Sequence, residues 1–321
     1  MRYYCAPLQG ITTWNFRRLH AQYFPGVDRY YMPFFSPTKE HLITPREWKN
    51  LDPDRNAGVP AVPQLMGHNA TDFLWAVDEL AGLGYREINF NLGCPSGTVI
   101  CKKKGSGFLA YPEELDRFFY EIFSRSPEVK LTVKTRLGLK DPAEFARILE
   151  IYNRYPIAEL TIHPRIQKDF YKFPARRAEF ARYLPQCRMP VCYNGDLFTP
   201  ADCRSFHAEF PAVEAVMLGR GLIADPALAG KLQGGNPVEK STLQCFMEEL
   251  FASYCVDFGQ QEPAVQRMKE TWFYVLHLFA DIQRTAKKMR RVKNPAEYAA
   301  LTAEIFRELP LLEETAGAFS E

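Results

Sequence analysis

Cys94 is the residue best placed to do chemistry, in the run Asn91-Leu92-Gly93-Cys94-Pro95-Ser96-Gly97. Most free cysteines are inert core residues. One in a polar, glycine-rich turn is a candidate reactive thiol. With an ordinary pKa of about 8.5 it stays protonated near neutrality, so it can give up a proton as a general acid. Lys134 and His163 each close an apolar run, Leu131-Thr132-Val133 and Leu160-Thr161-Ile162. Alone, such a lysine is more often solvated along its stem, and such a histidine is more often structural. Sharing a face with Asn194, they point instead to a ligand. A cation there suits the N1 and O2 edge of an isoalloxazine ring, where it stabilises the anionic reduced form. Gln64 and Asn91 add amide donors and acceptors suited to that polar edge.

Asn194-Gly195-Asp196 and Gly219-Arg220-Gly221 each follow an apolar run. Glycines there let backbone N–H groups come close to an anion, and Arg220 can add a charge-assisted pair. The competing reading is two ordinary tight turns. Two basic clusters complete the set. Lys102-Lys103-Lys104 precedes Gly105-Ser106-Gly107, and Arg284, Lys287, Lys288 and Arg291 recur at i, i+3, i+4 and i+7. That spacing places the four on one helical face. It is either a plain solvated face or a footprint for a phosphate backbone.

The elements that must position these residues alternate. Apolar runs at 3–8, 29–34, 61–66, 87–91, 130–134, 159–163, 190–194 and 215–219 read as buried strands. Helical patterns at 71–83, 112–123, 142–155 and 199–210 lie between them. Phe73, Val77 and Leu80 share one face of the first. Pro112 with Glu113 and Glu114 opens the second, and Asp141 is a candidate cap for the third. Residues 36–59, rich in proline and charge, read as a long loop. Eight alternating units predict a parallel (β/α)8 TIM barrel. The rival, a doubly wound open sheet, normally carries a Gly-rich fingerprint in its first turn, and none stands there. In a barrel the polar motifs all fall at the C-terminal ends of the strands, where sites are built and where phosphate is often bound after the last two strands. Strand-like runs stop near 240. The reading is a barrel over residues 1–235 and an all-helical domain over 240–321, hinged at Gly234-Gly235-Asn236-Pro237.

Composition narrows the classes. A net charge of +2 makes any basic surface local. None of the eight cysteines forms a C-x-x-C pair, which argues against structural zinc and iron–sulfur sites. No metal ligand set is expected. The chain shows no signal peptide and no apolar run long enough for a membrane span, so a reducing, cytoplasmic compartment is expected.

Together these motifs resemble the tRNA-dihydrouridine synthase family. The resemblance rests on Asn91-Leu92-Gly93-Cys94-Pro95-Ser96 with Lys104-Gly105-Ser106-Gly107-Phe108-Leu109, and on Val133-Lys134-Thr135-Arg136-Leu137-Gly138. His163-Pro164-Arg165 with Tyr171-Lys172, the two glycine motifs and Arg267-Met268-Lys269 extend it. Departures include Leu8, where a methionine is common, and Ile166, where a threonine is usual. The resemblance implies an FMN-binding barrel with flavin contacts at Pro7, Leu8, Gln64, Lys134, His163, Asn194, Gly195, Asp196, Gly219 and Arg220. It implies NADPH as reductant, Asn91 at the uracil and Cys94 as proton donor. tRNA contacts would fall at Lys104, Arg165, Tyr171, Arg267, Lys269, Arg284, Lys287, Lys288 and Arg291, with no protein partner and a monomer by default. Two other functions stay open. A small-molecule flavin reductase would not need the basic helical face, and an RNA-binding relic barrel would hold no flavin. A metal hydrolase lacks the required ligands.

Overall fold

The computed structural model describes residues 1–125 and 128–315. Nine parallel strands are seen: β1 Arg2–Cys5, β2 Arg29–Tyr31, β3 Ala61–Val62, β4 Gln64–Leu65, β5 Glu87–Leu92, β6 Lys130–Gly138, β7 Glu159–Ile166, β8 Val191–Asn194 and β9 Ala215–Leu218. Their lateral order is β3-β2-β1-β9-β8-β7-β6-β5-β4. The two ends of that order are halves of one stretch, split only by Pro63. A proline has no N–H for the ladder, so the stretch pairs with β2 before it and with β5 after it. The Asn89 N–H donates to the Pro63 carbonyl at 2.9 Å across the break. The expected eight-stranded barrel therefore closes at a proline-broken third strand.

Helices fill the alternate positions: α1 Trp14–Tyr23, α2 Pro45–Leu51, α3 Ala70–Gly82, α4 Gly97–Ile100, α5 Pro112–Ser124, α6 Glu144–Tyr152, α7 Arg177–Tyr183, α8 Pro200–Glu209, α9 Arg220–Ala224 and α10 Leu228–Leu232. α3 starts where the Asn69 side chain accepts from the Asp72 N–H, and α8 where Thr199 and Asp202 cap each other. α3 buries Phe73, Val77 and Leu80, as their spacing predicts. The ring of Phe73 lies 5.0 Å from Phe90 on β5 and 5.4 Å from Phe118 on α5. Such a cluster locks helix to strand, and truncating one ring to alanine typically costs about 3–5 kcal/mol.

Two expectations need correction. Residues 36–59 are not all loop: Thr44 and Glu47 form a capping box that starts α2. Asp141 does not cap α6, whose first residue is Glu144. The Asp141 carboxylate accepts from the Ala143 N–H, while the Glu144 carboxylate gathers the N–H groups of Leu139, Lys140 and Asp141.

Beyond the barrel come α11 Lys240–Phe258, α12 Gln261–Val275, α13 Gln283–Arg291 and α14 Pro295–Glu308. Among the described residues no strand element lies between them, and one isolated antiparallel bridge pairs Phe279 with Leu311; residues 316–321 of the expected helical domain lie outside the described residues. Instead of a separate core, one apolar cluster runs from the barrel's outer layer into these helices, through Phe16 of α1 and Phe246 of α11. The Asn15 amide donates to the Ser253 hydroxyl at 2.9 Å, and Thr13 and Tyr254 share a hydrogen bond of 3.0 Å. Among the described residues no helix is long and apolar enough to cross a membrane.

Candidate active site

Strand periodicity explains the site. Side chains two apart share a strand face, so Glu87, Asn89 and Asn91 of β5 align. Thr132, Lys134 and Arg136 of β6 align too, as do Glu159, Thr161, His163 and Arg165 of β7. The barrel interior is divided. One half is an apolar cluster that includes Tyr4, Ala6, Tyr31, Val62 and Met217. The other half is polar, beginning at Glu87 and Glu159 with Arg29 between them at 3.2 and 3.6 Å. The polar half ends at the mouth in Asn91, Lys134 and His163.

Two adjoining cavities open at that mouth. One, of about 180 Å³, is walled by Asn91, Cys94, Lys134 and Arg136, with Gln9 and Pro33. The other, of about 60 Å³, is walled by Asn194, Gly195, Asp196, Gly219, Arg220 and Arg165. Pro7, Leu8, Lys134, His163 and Tyr171 border both. Most of the residues singled out from the sequence therefore converge.

Cys94 is held by its neighbours' backbone. The Asn91 carbonyl oxygen Oδ1 accepts from the N–H groups of Gly93 and Cys94 at 3.0 and 2.9 Å, and the Ser106 hydroxyl donates to the Cys94 carbonyl at 2.8 Å. Gly105 has φ +55°, and a Cβ on it would lie 2.9 Å from that of Cys94. This is why a glycine follows the lysine triplet. Burial raises the Cys94 pKa above its ordinary value, against a smaller opposing pull from a backbone hydrogen bond at Ser96 and from Arg136 and Lys134. The thiol is thus a proton holder at neutral pH.

Lys134 stands free: among the described residues its ammonium has no hydrogen-bond or ion-pair partner. Burial, then Arg136, lowers its pKa to about 8. A partnerless cation inside a barrel mouth is a ready counter-charge for a ligand. His163 is buried, and desolvation followed by Arg136, Lys134, Arg165 and Arg220 lowers its pKa well below the ordinary range. It is neutral. Arg165 donates to its Nε2 at 2.7 Å, so the other nitrogen carries the proton.

In the smaller cavity the Asp196 carboxylate accepts from Arg165 at 2.6 Å, from Arg220 at 3.1 Å and from the Ala175 N–H at 2.7 Å. Asp196 thus holds the two arginines rather than facing the space alone. Gly195 has φ +152°, and a Cβ there would lie 2.8 Å from Ala175. Asn194 donates to the Met217 carbonyl at 2.7 Å. The Tyr171 ring sits under the guanidinium of Arg220 at 4.4 Å, with those of Arg136 and Arg165 at 5.7 and 5.9 Å.

Other expected site residues are placed differently. Gln64 is fully buried and lines neither cavity; its amide is engaged by Asn89 and Asn91. Lys104 donates to Ser36 at 2.7 Å near the mouth. Arg267 pairs with Glu270, Lys269 donates to the Val292 carbonyl, and Lys288 pairs with Glu304. Arg284, Lys287 and Arg291 are exposed on α13, opposite buried Thr285 and Met289. Arg136 was missed as a site residue because the fifth strand was read as ending at Lys134. Period two continued by one step finds it.

A family model described as dihydrouridine synthase matches residues 4–311. This chain belongs to the dihydrouridine synthase family of enzymes. A tRNA-dihydrouridine(16) synthase of Neisseria meningitidis is 26% identical, over 95% of this chain and 94% of the relative. One of Cupriavidus necator is 27% identical, over 88% and 92%. tRNA-dihydrouridine synthase B of Pasteurella multocida is 29% identical, over 71% and 67%. Among solved structures, a morphinone reductase superposes with a TM-score of 0.52 at 12% identity, over 75% of this chain and 88% of that one. That likeness concerns the barrel fold.

Proposed function

We propose that this chain reduces the 5,6 double bond of a uridine in tRNA, with FMN held across the two cavities and NADPH as reductant. The observation that carries the reading is the larger cavity itself. Cys94 and Asn91 face it beside a partnerless Lys134, and Lys134 also borders the arginine-rich smaller cavity. The residues fit a flavin phosphate at Gly195, Gly219 and Arg220, and a ring along Pro7, Leu8, Lys134 and His163. When bound, the flavin supplies hydride to C6 of the base after reduction by NADPH.

The chain's own residues do the rest. Asn91 and Arg136 hold the base, and Cys94 gives its thiol proton to C5. A base inside folded RNA must leave its stack to reach this mouth. The exposed cations of α13 grip the phosphate backbone while the mouth takes the base. The relatives that span the whole chain are named for position 16, which makes uridine 16 the first target to map. The reading places the enzyme with RNA in the cytoplasm and needs no membrane or protein partner.

The test is an absorption spectrum of purified protein, taken anaerobically before and after NADPH and then after unmodified tRNA. Flavin bands that bleach with NADPH and return with tRNA are expected. Bleaching that ignores tRNA favours a small-molecule reductase on the same barrel. A colourless protein that FMN cannot reconstitute overturns the reading.

A further inference from the structure

A single-file chain of hydrogen bonds runs through the polar half of the barrel and ends at Asn91. Thr132 donates to the Glu87 carboxylate at 3.4 Å or the Ile88 carbonyl at 3.5 Å, both acceptors only, and accepts from the Asn89 amide nitrogen at 2.9 Å. The Asn89 oxygen accepts from the Gln64 amide nitrogen at 2.7 Å, and the Gln64 oxygen accepts from the Asn91 amide nitrogen at 2.8 Å. The Asn91 oxygen accepts two backbone N–H groups. Both ends of this chain are one-way. A carboxylate can only accept, and a backbone N–H can only donate. No amide in the chain can be reversed without setting two donors or two acceptors against each other.

Asn91 therefore has one group left for the cavity, its second N–H. The other polar side chains of that wall are donors too: the Lys134 ammonium, the Arg136 guanidinium, the Cys94 thiol and the protonated nitrogen of His163. Gln9 and Tyr171 alone among the lining side chains also carry an acceptor. We propose that Gln64, Asn89 and Thr132 are positioning residues that lock Asn91 as an obligate donor, so that the mouth selects a pyrimidine by its carbonyl oxygens. A 4-aminopyrimidine would turn a donor toward donors, leaving buried groups unpaired, which is the strongest form of discrimination available to a site. This proposal rests on the uridine-reduction reading above.

Four variants of the holoenzyme test it with an unmodified tRNA transcript. Asn91→Asp keeps an acceptor for the Gly93 and Cys94 N–H groups but turns an oxygen toward both the Gln64 oxygen and the substrate carbonyl. It is expected to lose more kcat/KM than Asn91→Ala, although alanine also loses the loop bonds. Thr132→Val leaves the buried Asn89 amide without its acceptor and is expected to lose about tenfold in kcat/KM with flavin content unchanged, and Thr132→Ser to stay within about twofold. Greater activity in Asn91→Asp than in Asn91→Ala overturns the donor assignment. Equal effects of valine and serine at 132 overturn the positioning role. A readout without turnover separates this from failure of the functional reading. In wild-type protein labelled with 15N-asparagine, and assigned with Asn91→Ala, one Asn91 amide proton should be protected from exchange and the other not. Equal exchange of the two overturns the chain whether or not the protein reduces uridine.

Discussion

One arm of the Arg165 guanidinium donates to His163 Nε2 at 2.7 Å while another grips the Asp196 carboxylate at 2.6 Å. The residue that fixes the histidine tautomer thus also anchors the aspartate that holds Arg220. A lysine is a point charge and cannot span both partners in this planar fashion. Arg165→Lys is therefore expected to weaken flavin binding about tenfold, read by fluorescence titration of the apoprotein with FMN. An unchanged Kd would show that the bridge orients neither cavity wall.

What the sequence made legible follows its physics. Strand-end residues such as Cys94, Lys134, His163 and Asn194 were expected together because barrel chemistry gathers at one end of parallel strands, and they line the two cavities at the mouth. Arg136 was missed because its signal is strand register, which an underestimated strand length hides, and Thr132 because no local pattern shows which side chain its hydroxyl meets. Gln64 was expected at the ligand; it is fully buried and lines neither cavity, and an amide's type says nothing about its depth. α2 was hidden in a proline-rich stretch, though Thr44 and Glu47 spell its capping box. The four-residue face of α13 was placed correctly, but the Lys288–Glu304 pair needs a partner from α14 that no local pattern reveals.

On the proposed reading, Lys134 should set a pH limit on flavin binding. Its pKa in the free protein is lowered to about 8, first by burial and then by Arg136. Only the ammonium form offers counter-charge to the polar edge of the ring. FMN affinity should be flat below that value and fall about tenfold for each unit above it. Lys134→Met should bind more weakly at pH 7 and lose the dependence. A wild-type Kd that stays constant from pH 7 to 9.5 would contradict this.

Cys94 should behave as an acid. Burial raises its pKa, so the protonated form persists through neutral pH and is depleted only in alkali. The oxidative half-reaction with tRNA should be level across neutral pH and decline only in alkali, above the range of an ordinary thiol. Cys94→Ala should retain FMN and NADPH-dependent bleaching but lose about 10²–10⁴-fold in reoxidation by tRNA. Single-turnover absorbance separates the two half-reactions, and an unimpaired tRNA step in this variant would remove Cys94 from its role.

His20 should govern acid stability. It is buried on α1 with its Nδ1 2.7 Å from the Tyr30 hydroxyl, and burial lowers its pKa from 6.5 to about 3. The fold holds the neutral ring. Its contribution is complete above 6.5 and is lost as pH falls toward the folded value, because the unfolded chain takes up the proton first. Between pH 7 and 4.5 the unfolding free energy should drop by on the order of 2 kcal/mol from this group. Urea titrations at the two pH values read the drop. His20→Gln, less stable at pH 7, should show a smaller difference between them, and an equal difference would assign the acid sensitivity to other groups.

The exposed cations of α13 offer the cleanest separation of RNA grip from chemistry. Arg284, Lys287 and Arg291 are exposed, whereas Lys288 is tied to Glu304 and Lys269 to the Val292 carbonyl. Each phosphate contact releases about one condensed counterion, so log affinity falls with log salt in proportion to the contacts made. Replacing these three of the four exposed cations of α13, Arg290 being the fourth, by alanine should raise KM for tRNA and make that slope shallower by about 2 to 3. NADPH-dependent flavin bleaching, which needs no RNA, should be unchanged. Lys288→Ala alone should alter the slope little, because its charge is already partnered. If the triple variant keeps the wild-type slope, the RNA backbone lies elsewhere, and α13 is a solvated face.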